Sequence, residues 1–237
     1  MNRGCVIGLM VAMLLLGVGG YFFYNFVNQL ADVPAELQPY ENLDSVRAQV
    51  RNHTAPPTDT AHLAPQHLAT LLAVVDSSNA LLSNFLASIK GVGSGDDGVM
   101  KEVGKGMNLV LQVRLLPLSL RRGVVAALNQ QNCSWGEYLW IKERAVAAAG
   151  ITKADVDSAV RALLRETFTD STVAQGTMPE GEVAKFYRRT DSLRASGAID
   201  TAEATLLKPY RTALLDRGKL LLLGIEANDE VEAMIEE

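Results

Sequence analysis

Cysteine is nearly absent from this chain, which has two cysteines in 237 residues. Cys5 lies in a long apolar segment near the amino terminus, and Cys133 lies in the part of the chain that has mixed composition. The two thiols cannot pair within one folded chain, so a disulfide framework is excluded. Cys133 is left as a lone thiol, and a buried structural cysteine is its simplest interpretation.

A basic excess is also missing, because the formal net charge is -5. Basic residues gather only locally, at Lys185, Arg188, Arg189 and Arg194, and this grouping is typical of a solvated helix face. Proteins that bind nucleic acid usually carry a broad basic face. Nucleic acid is therefore not an expected partner.

Sequence motifs for catalysis, nucleotide binding or metal binding are missing as well. The chain contains no G-x-S-x-G and no H-E-x-x-H. Residues 93–98 match G-x-G-x-x-G, but a helical pattern precedes them where a strand is required, and two aspartates would repel a pyrophosphate. His53, His62 and His67 lack the spacing of metal ligands, and no cluster of carboxylates or cysteines accompanies them along the chain. No metal and no cofactor is therefore expected.

Charged residues are absent between Arg3 and Asp32. Within this interval residues 5–27 form an almost unbroken apolar run, and a helix of roughly 20 apolar residues spans a bilayer core. Residues 1–30 are therefore predicted to be a transmembrane anchor, with the lipid bilayer as a partner. A cleaved signal peptide is the alternative. The aromatic residues within 21–26 favour the anchor, because they fit an interfacial belt and a cleaved signal usually turns polar there.

The charges around the apolar segment predict its orientation. Arg3 precedes the segment and acidic residues follow it, and cationic flanks stay in the cytoplasm. We expect a single pass through the inner membrane of a bacterium, with the N-terminus cytoplasmic and the following domain periplasmic. Signal cleavage would instead release the protein into the periplasm. Gly4, Gly8 and Ala12 recur at four-residue spacing, which permits close helix packing and suggests a homodimer through the anchor.

Prolines separate a tether from a domain. Residues 31–62 contain four prolines among polar residues and are predicted to be a Pro-rich tether, with a short helix over residues 43–50. Residues 63–225 carry apolar residues at helical spacing and almost no alternating segment, so we expect them to fold without the anchor or tether. The predicted class is all-α, a multi-helix bundle or an irregular helical array. Residues 226–237 hold six acidic residues and no basic one, which is typical of a solvated tail.

Helix boundaries can be predicted within this domain. Ser134 and Glu137 have the spacing of a capping box, and Asp200 with Glu203 begins a later helix. Pro117 lies inside a helical segment that runs from about residue 99 to residue 131, and it is expected to kink or split that segment.

Aromatic residues make up only 6% of the chain, but three of them lie together at the start of one predicted helix. These are Trp135, Tyr138 and Trp140. Trp135 and Tyr138 are three residues apart and share a helix face. Core packing explains this group most simply, and an interaction surface for a ligand or partner is the alternative.

Taken together, these features favour a membrane-anchored interaction or accessory protein of the bacterial cell envelope, with another envelope protein as its partner. A non-enzymatic role is favoured because no motif identifies catalytic residues. Two alternatives stay open. Converging carboxylates with perturbed pKa values would indicate an envelope hydrolase. A large apolar cavity would indicate a helical protein that binds a lipid or a small ligand.

Overall fold

The structure is a computed structural model of the chain, and it describes residues 43–58, 61–91, 99–167 and 181–224. These residues form helices and no strand, which confirms the all-α class. The helices are α1 (Leu43–Arg47), α2 (Pro65–Gly91), α3 (Val99–Gln130), α4 (Trp135–Ala148), α5 (Lys153–Thr167), α6 (Gly181–Ala195), α7 (Thr201–Leu207), a 3₁₀ turn (Lys208–Tyr210), α8 (Arg211–Arg217) and α9 (Lys219–Leu222).

Several predicted elements lie outside the described residues. The anchor of residues 1–30 is one of them, together with its small residues Gly4, Gly8 and Ala12. The acidic tail of residues 226–237 is another. The anchor, its dimer face and the tail therefore stay predictions from sequence.

Helices α2 and α3 pack against each other at the centre of the domain. Helix α2 begins at Pro65, because proline suits the first turn, where its missing N–H has no partner to lose. Gly123 of α3 lies so close to α2 that a Cβ there would stand 2.8 Å from Ser77 Oγ. Apolar residues at helical spacing along α2 contribute to the core: Leu68, Leu71, Val75, Leu82 and Phe85.

One described helix is long and apolar enough to cross a membrane, namely α2 over Pro65–Ser88. This is weak evidence for a span, because the core helix of a soluble domain passes the same test. In this window 44% of the residues are buried inside the domain. Helix α2 also contacts α3, α4, α8 and α9, as a central core helix does.

Of the two expected effects of Pro117, a kink or a split, the split does not occur, because α3 is one helix from Val99 to Gln130 with Pro117 inside it. A proline removes one backbone hydrogen bond, and packing can compensate for that loss. Leu116 and Leu118 on either side of it are both buried in the core. Tertiary burial therefore overrides the local preference at this position.

Both predicted helix starts are confirmed as capping boxes. Ser134 Oγ accepts a hydrogen bond from Glu137 N–H at 3.1 Å, and Glu137 Oε2 accepts from Ser134 N–H at 3.4 Å. At α7 the same exchange joins Asp200 and Glu203, with N···O distances of 2.7 and 3.1 Å. Each box satisfies two backbone donors that have no partner within the helix.

Part of the segment predicted as tether packs on the domain. Val46 and Val50 are 0% and 2% exposed and belong to the core. Asn129 at the end of α3 holds this segment, because its Oδ1 accepts from Arg51 N–H at 2.7 Å and its Nδ2 donates to Gln49 O at 3.0 Å. The four prolines suggested a free tether, but two valines four residues apart form an apolar face that requires burial.

Candidate functional site

A buried ion pair joins α4 to α7. The side chains of Arg144 and Glu203 are 2% and 1% exposed. Arg144 donates from Nε to Glu203 Oε1 at 2.8 Å and from Nη2 to Oε2 at 2.7 Å, which is the bidentate geometry that a guanidinium forms with a carboxylate. Arg144 Nη2 also donates to Ala198 O at 2.7 Å. The pair therefore fixes α4, α7 and the connection before α7.

Glu203 also accepts two backbone hydrogen bonds. Leu63 N–H donates to Oε1 at 2.9 Å, and Asp200 N–H donates to Oε2 at 3.1 Å, so each carboxylate oxygen accepts two donors. Burial alone raises the pKa of Glu203, but the hydrogen bonds from Arg144, Leu63 and Asp200 outweigh it and lower the pKa. Glu203 is therefore a stable carboxylate anion at neutral pH.

His62 joins this pair, although the two carboxylates that it meets are far from it in the sequence. Its Nδ1 is 3.1 Å from Asp200 Oδ2 and 3.8 Å from Glu203 Oε2, and the three ligand atoms lie within 4.8 Å of one another. Sequence spacing missed this cluster because the histidine precedes α2 and both acids begin α7.

A metal ion does not suit the cluster of His62, Asp200 and Glu203. Both oxygens of Glu203 already accept two hydrogen bonds each, and a metal ion would have to displace one of these donors. The Arg144 guanidinium lies 2.7 Å from the oxygen that would bind, and its positive charge would repel a cation. The arrangement suits a structural link between the segment before α2 and the start of α7.

A cleft of about 630 Å³ opens between α4, α6 and the end of α9, and we call it the α4–α6 cleft. Its volume is in the range of ligand-binding pockets. Apolar residues and glycines form most of its walls: Pro56, Pro57, Gly136, Leu139, Trp140, Val183, Phe186, Leu222, Leu223 and Gly224. Its charged residues are Lys142, Glu143, Lys185 and Arg189.

Positive charge is in excess on these walls. Arg189 and Glu143 form two short contacts, Nε to Oε1 at 2.8 Å and Nη2 to Oε2 at 2.9 Å. Lys142 is only 3% exposed, and its ammonium lies 4.9 Å from the ring centroid of Phe186, where the ring face attracts a cation. With the exposed Lys185, the cleft has three cationic side chains and one carboxylate in a chain whose net charge is -5.

The predicted aromatic group does not form one exposed surface. Tyr138 is fully buried, and its ring meets that of Trp135 edge to face with centroids 5.8 Å apart. Trp140 lines the α4–α6 cleft, whereas Trp135 lines a second cleft of about 450 Å³ beside α1. The exposed fractions of Trp135 and Trp140 are 7% and 9%. The three residues therefore pack in the core, and the two indoles each contribute to the wall of a different cleft.

Trp140 connects the α4–α6 cleft to the buried ion pair. The guanidinium carbon of Arg144 lies 5.5 Å from the centroid of its ring, and His67 meets the same ring edge to face at 5.4 Å. One face of α4 thus carries a cleft residue and the ion pair within one turn of helix. This arrangement fixes the cleft wall rigidly to the core.

His67 predicts a pH dependence of stability. Its Nδ1 accepts a hydrogen bond from Ala64 N–H at 3.0 Å, which requires the neutral ring. Burial lowers the pKa of His67 below 6.5, and the charge of Glu137 opposes this shift with a smaller effect. The pKa of His67 is thus lower in the folded chain than in the unfolded chain, so the unfolded chain binds more protons between the two values. The free energy of unfolding therefore decreases as the pH is lowered from about 6.5 to the folded pKa, and the effect of His67 is complete below that pKa.

The measurement is urea unfolding between pH 7 and pH 5 on the parent chain, on His67→Asn and on His53→Asn. We expect the parent and His53→Asn to lose stability together, and His67→Asn to lose less, because asparagine can accept from Ala64 N–H without titrating. Equal pH slopes for all three chains would contradict the assignment.

Cys133 is predicted to be unreactive while the chain is folded. It is 3% exposed, and burial together with the charge of Glu137 and a hydrogen bond with Glu137 raises the pKa of its thiol to about 12. Because the thiolate is the nucleophile, we expect alkylation by iodoacetamide at pH 8 to be slowed at least about a hundredfold relative to the unfolded chain. A Cys5→Ser background isolates Cys133, and rapid labelling without urea would refute the prediction.

The shifted carboxyl groups of the described residues do not resemble a catalytic pair. A backbone hydrogen bond from Thr152 is the largest cause that lowers the pKa of Asp155, and contacts with Arg211 add to it. The pKa of Glu203 is lowered as well. A general acid needs a raised pKa, so both groups are suited to structural roles.

Comparison with known protein families, with curated proteins and with solved structures found no match for this chain.

Proposed function

We propose that this chain is a membrane-tethered interaction protein of the bacterial cell envelope, which binds an acidic, amphipathic segment of another envelope protein in the α4–α6 cleft. The anchor of residues 1–30 crosses the inner membrane once, with the N-terminus cytoplasmic and the helical domain in the periplasm. The uncharged N-terminal run and the position of Arg3 support this topology.

The observation that carries the proposed binding activity is the composition of the cleft. Its walls combine partly exposed apolar side chains, those of Leu139 and Phe186, with the cationic side chains of Lys142, Lys185 and Arg189. A ligand of this cleft must combine apolar groups with negative charge, because complementary charge directs encounter and apolar burial supplies affinity. A peptide with alternating acidic and apolar residues meets both requirements.

A lipid or another small anionic amphiphile is the second candidate. The buried ammonium of Lys142 beside the Phe186 ring favours it, because a carboxylate or phosphate head group would lie near the ammonium and its chain near the ring. The hydrolase hypothesis has no comparable support, since Glu203 and Asp155 have lowered pKa values and serve as structural ligands of arginines.

A photo-crosslinking amino acid at position 185 tests the proposed partner in living cells. Lys185 lies on the cleft and is exposed, whereas Lys208 is exposed and lies outside the cleft, so position 208 is the matched control. We expect one discrete protein adduct from position 185 that is absent from position 208 and is lost when Arg189 is changed to glutamate. A lipid adduct would favour the second candidate, and no adduct at all would refute binding in the cleft.

Fractionation and reporter fusions test the topology. The full-length chain should stay with membranes after a carbonate wash, and an amino terminus near Gly20 would show signal cleavage instead. Alkaline phosphatase fused to the C-terminus should be active, and a fluorescent reporter that works only in the cytoplasm should be dark.

A substitution in the anchor tests the proposed dimer. Gly4, Gly8 and Ala12 form the face of this dimer, so Gly8→Ile should weaken cross-linking between anchors.

A further inference from the structure

We propose that His67 is a proton switch that couples the surrounding pH to the α4–α6 cleft. The neutral ring holds the start of α2, whereas the protonated ring turns to Glu137 of α4 and displaces Trp140 in the wall of the cleft. The proposal rests on the proposed function of that cleft and adds its regulation. The rearrangement takes place within the folded domain, and so it differs from the loss of global stability that His67 also predicts.

The neutral ring completes the start of α2. His67 is the third residue of this helix, and its Nδ1 accepts a hydrogen bond at 3.0 Å from the N–H of Ala64, the residue before the helix. A glutamate accepts the corresponding bond in the capping boxes of α4 and α7. At α2 the acceptor is an imidazole nitrogen, which titrates near neutral pH and no longer accepts once it has bound a proton. Acid therefore releases this helix start.

The protonated ring has a second partner on α4. His67 Nε2 lies 3.9 Å from Glu137 Oε1, which is too far for a hydrogen bond. A proton on Nδ1 removes the bond with Ala64 N–H and charges the ring, and an imidazolium donates to a carboxylate at about 2.8 Å. A tilt of about 1 Å towards Glu137 brings this bond into reach. His67 thus has one partner in each protonation state.

Glu137 is held in place to receive the charged ring. Its Oε2 accepts from Ser134 N–H at 3.4 Å, and the same carboxylate forms a hydrogen bond with the Cys133 thiol, while Oε1 faces His67. Burial lowers the pKa of His67 below 6.5, and the charge of Glu137 opposes this shift with a smaller effect. The proton therefore binds below pH 6.5, and the charged ring has an anion within reach when it forms.

The other charged groups near the start of α2 have different partners. Arg144 of α4 lies against the Trp140 ring, and its positive charge disfavours a second cation there. Helices α3, α8 and α9 also pack on α2, and within the described ranges none of their charged side chains pairs with His67. In the segment before α2, His62 faces the carboxylates at the start of α7, those of Asp200 and Glu203.

Trp140 transmits the movement to the cleft. The His67 and Trp140 rings meet edge to face with their centroids 5.4 Å apart, and Trp140 lines the α4–α6 cleft. The indole is 9% exposed, and close-packed interiors transmit small displacements between neighbours. A tilt of the imidazolium therefore displaces the wall against which a ligand packs, and we expect weaker binding at acid pH.

Fluorescence of Trp140 measures the switch without any partner. Trp135→Phe leaves Trp140 as the single tryptophan of the full chain, which is kept in a non-ionic detergent that has no aromatic ring. An imidazolium quenches an indole that it contacts, so the emission should fall along a one-proton curve with its midpoint below pH 6.5. His67→Asn should abolish this curve, because asparagine accepts from Ala64 N–H but binds no proton. His62→Asn is the matched control and should keep the curve. A curve that survives His67→Asn, or no curve in the parent, would overturn the proposal.

Nuclear magnetic resonance gives the same information without the Trp135 substitution. The ring signals of His67 are identified by their loss in His67→Asn, and they should titrate with a pKa below 6.5. The backbone amide signal of Ala64 and the indole N–H signal of Trp140 should shift along the same curve. An indole signal that does not follow the titration would show that protonation stays local, and the proposed coupling would be wrong.

Photo-crosslinking from position 185 relates the switch to the partner. In permeabilised cells the yield of the partner adduct should be at least about fivefold lower at about pH 5.5 than at about pH 7.5, the lower end of typical couplings between sites. His67→Asn should remove most of this difference, and His62→Asn should keep it. An adduct of equal yield at both pH values would refute only the switch. No adduct at either pH, together with a normal titration of Trp140, would refute only the proposed function, because that titration needs no partner.

Discussion

A Glu203→Ala variant is expected to lose about 3–5 kcal/mol of its free energy of unfolding. The substitution leaves the Arg144 guanidinium, 2% exposed, without its carboxylate partner Glu203, and a neutral acceptor such as Ala198 O does not balance its charge. It also removes the acceptor of two backbone N–H groups, those of Leu63 and Asp200. The total stability of a domain is only about 5–15 kcal/mol, so a large part of it is lost.

Urea unfolding followed by circular dichroism at pH 7 measures this loss. The matched control is Asp76→Ala, which breaks the exposed pair of Asp76 with Arg217 at 2.6 Å and should cost less than about 1 kcal/mol. The double variant Arg144→Met with Glu203→Leu should lose less than Glu203→Ala does, because no buried charge then lacks a partner. If Glu203→Ala and Asp76→Ala cost the same, the buried pair does not stabilise the fold.

Local chemistry made much of this fold predictable. The starts of α4 and α7 were read from Ser134 with Glu137 and from Asp200 with Glu203, because a capping box is complete within four residues. The second role of Glu203 had no such signal. Its partner Arg144 is 59 residues away, and nothing in the sequence around either residue distinguishes this pair from the other acidic and basic residues of the chain.

The cleft shows the same division between local and distant information. The basic group around Lys185 was predicted to be a solvated helix face, and Arg188 and Arg189 are indeed exposed. Its relation to Lys142 on another helix depends on how α4 packs against α6, which periodicity does not determine.

The packing of Val46 and Val50 was missed for a related reason. Prolines give a strong local signal, whereas two valines identify a buried face only when the helix that they cover is known.

The largest effect is expected for Val160→Asp, which should abolish cooperative unfolding. Val160 lies with Val156 on the apolar face of α5 and is 0% exposed, so the new carboxylate would be buried without a partner. Leu164 lies one turn after Val160 and would suit the same test, but its side chain is outside the described residues. Ala162→Asp is the control for the added charge, because it introduces the same charge two residues away at an exposed position.

Thermal unfolding of the parent and the two variants is compared in a chain of residues 40–237. This chain keeps Val46 and Val50, which belong to the core. Ala162→Asp should melt within a few degrees of the parent, because surface substitutions usually change stability by about 0.5 kcal/mol or less. Val160→Asp should show no sigmoidal transition, since burial of one carboxylate costs several kcal/mol, about as much as the whole domain retains. A Val160→Asp chain that melts like the parent would mean that α5 does not pack on the domain through this face.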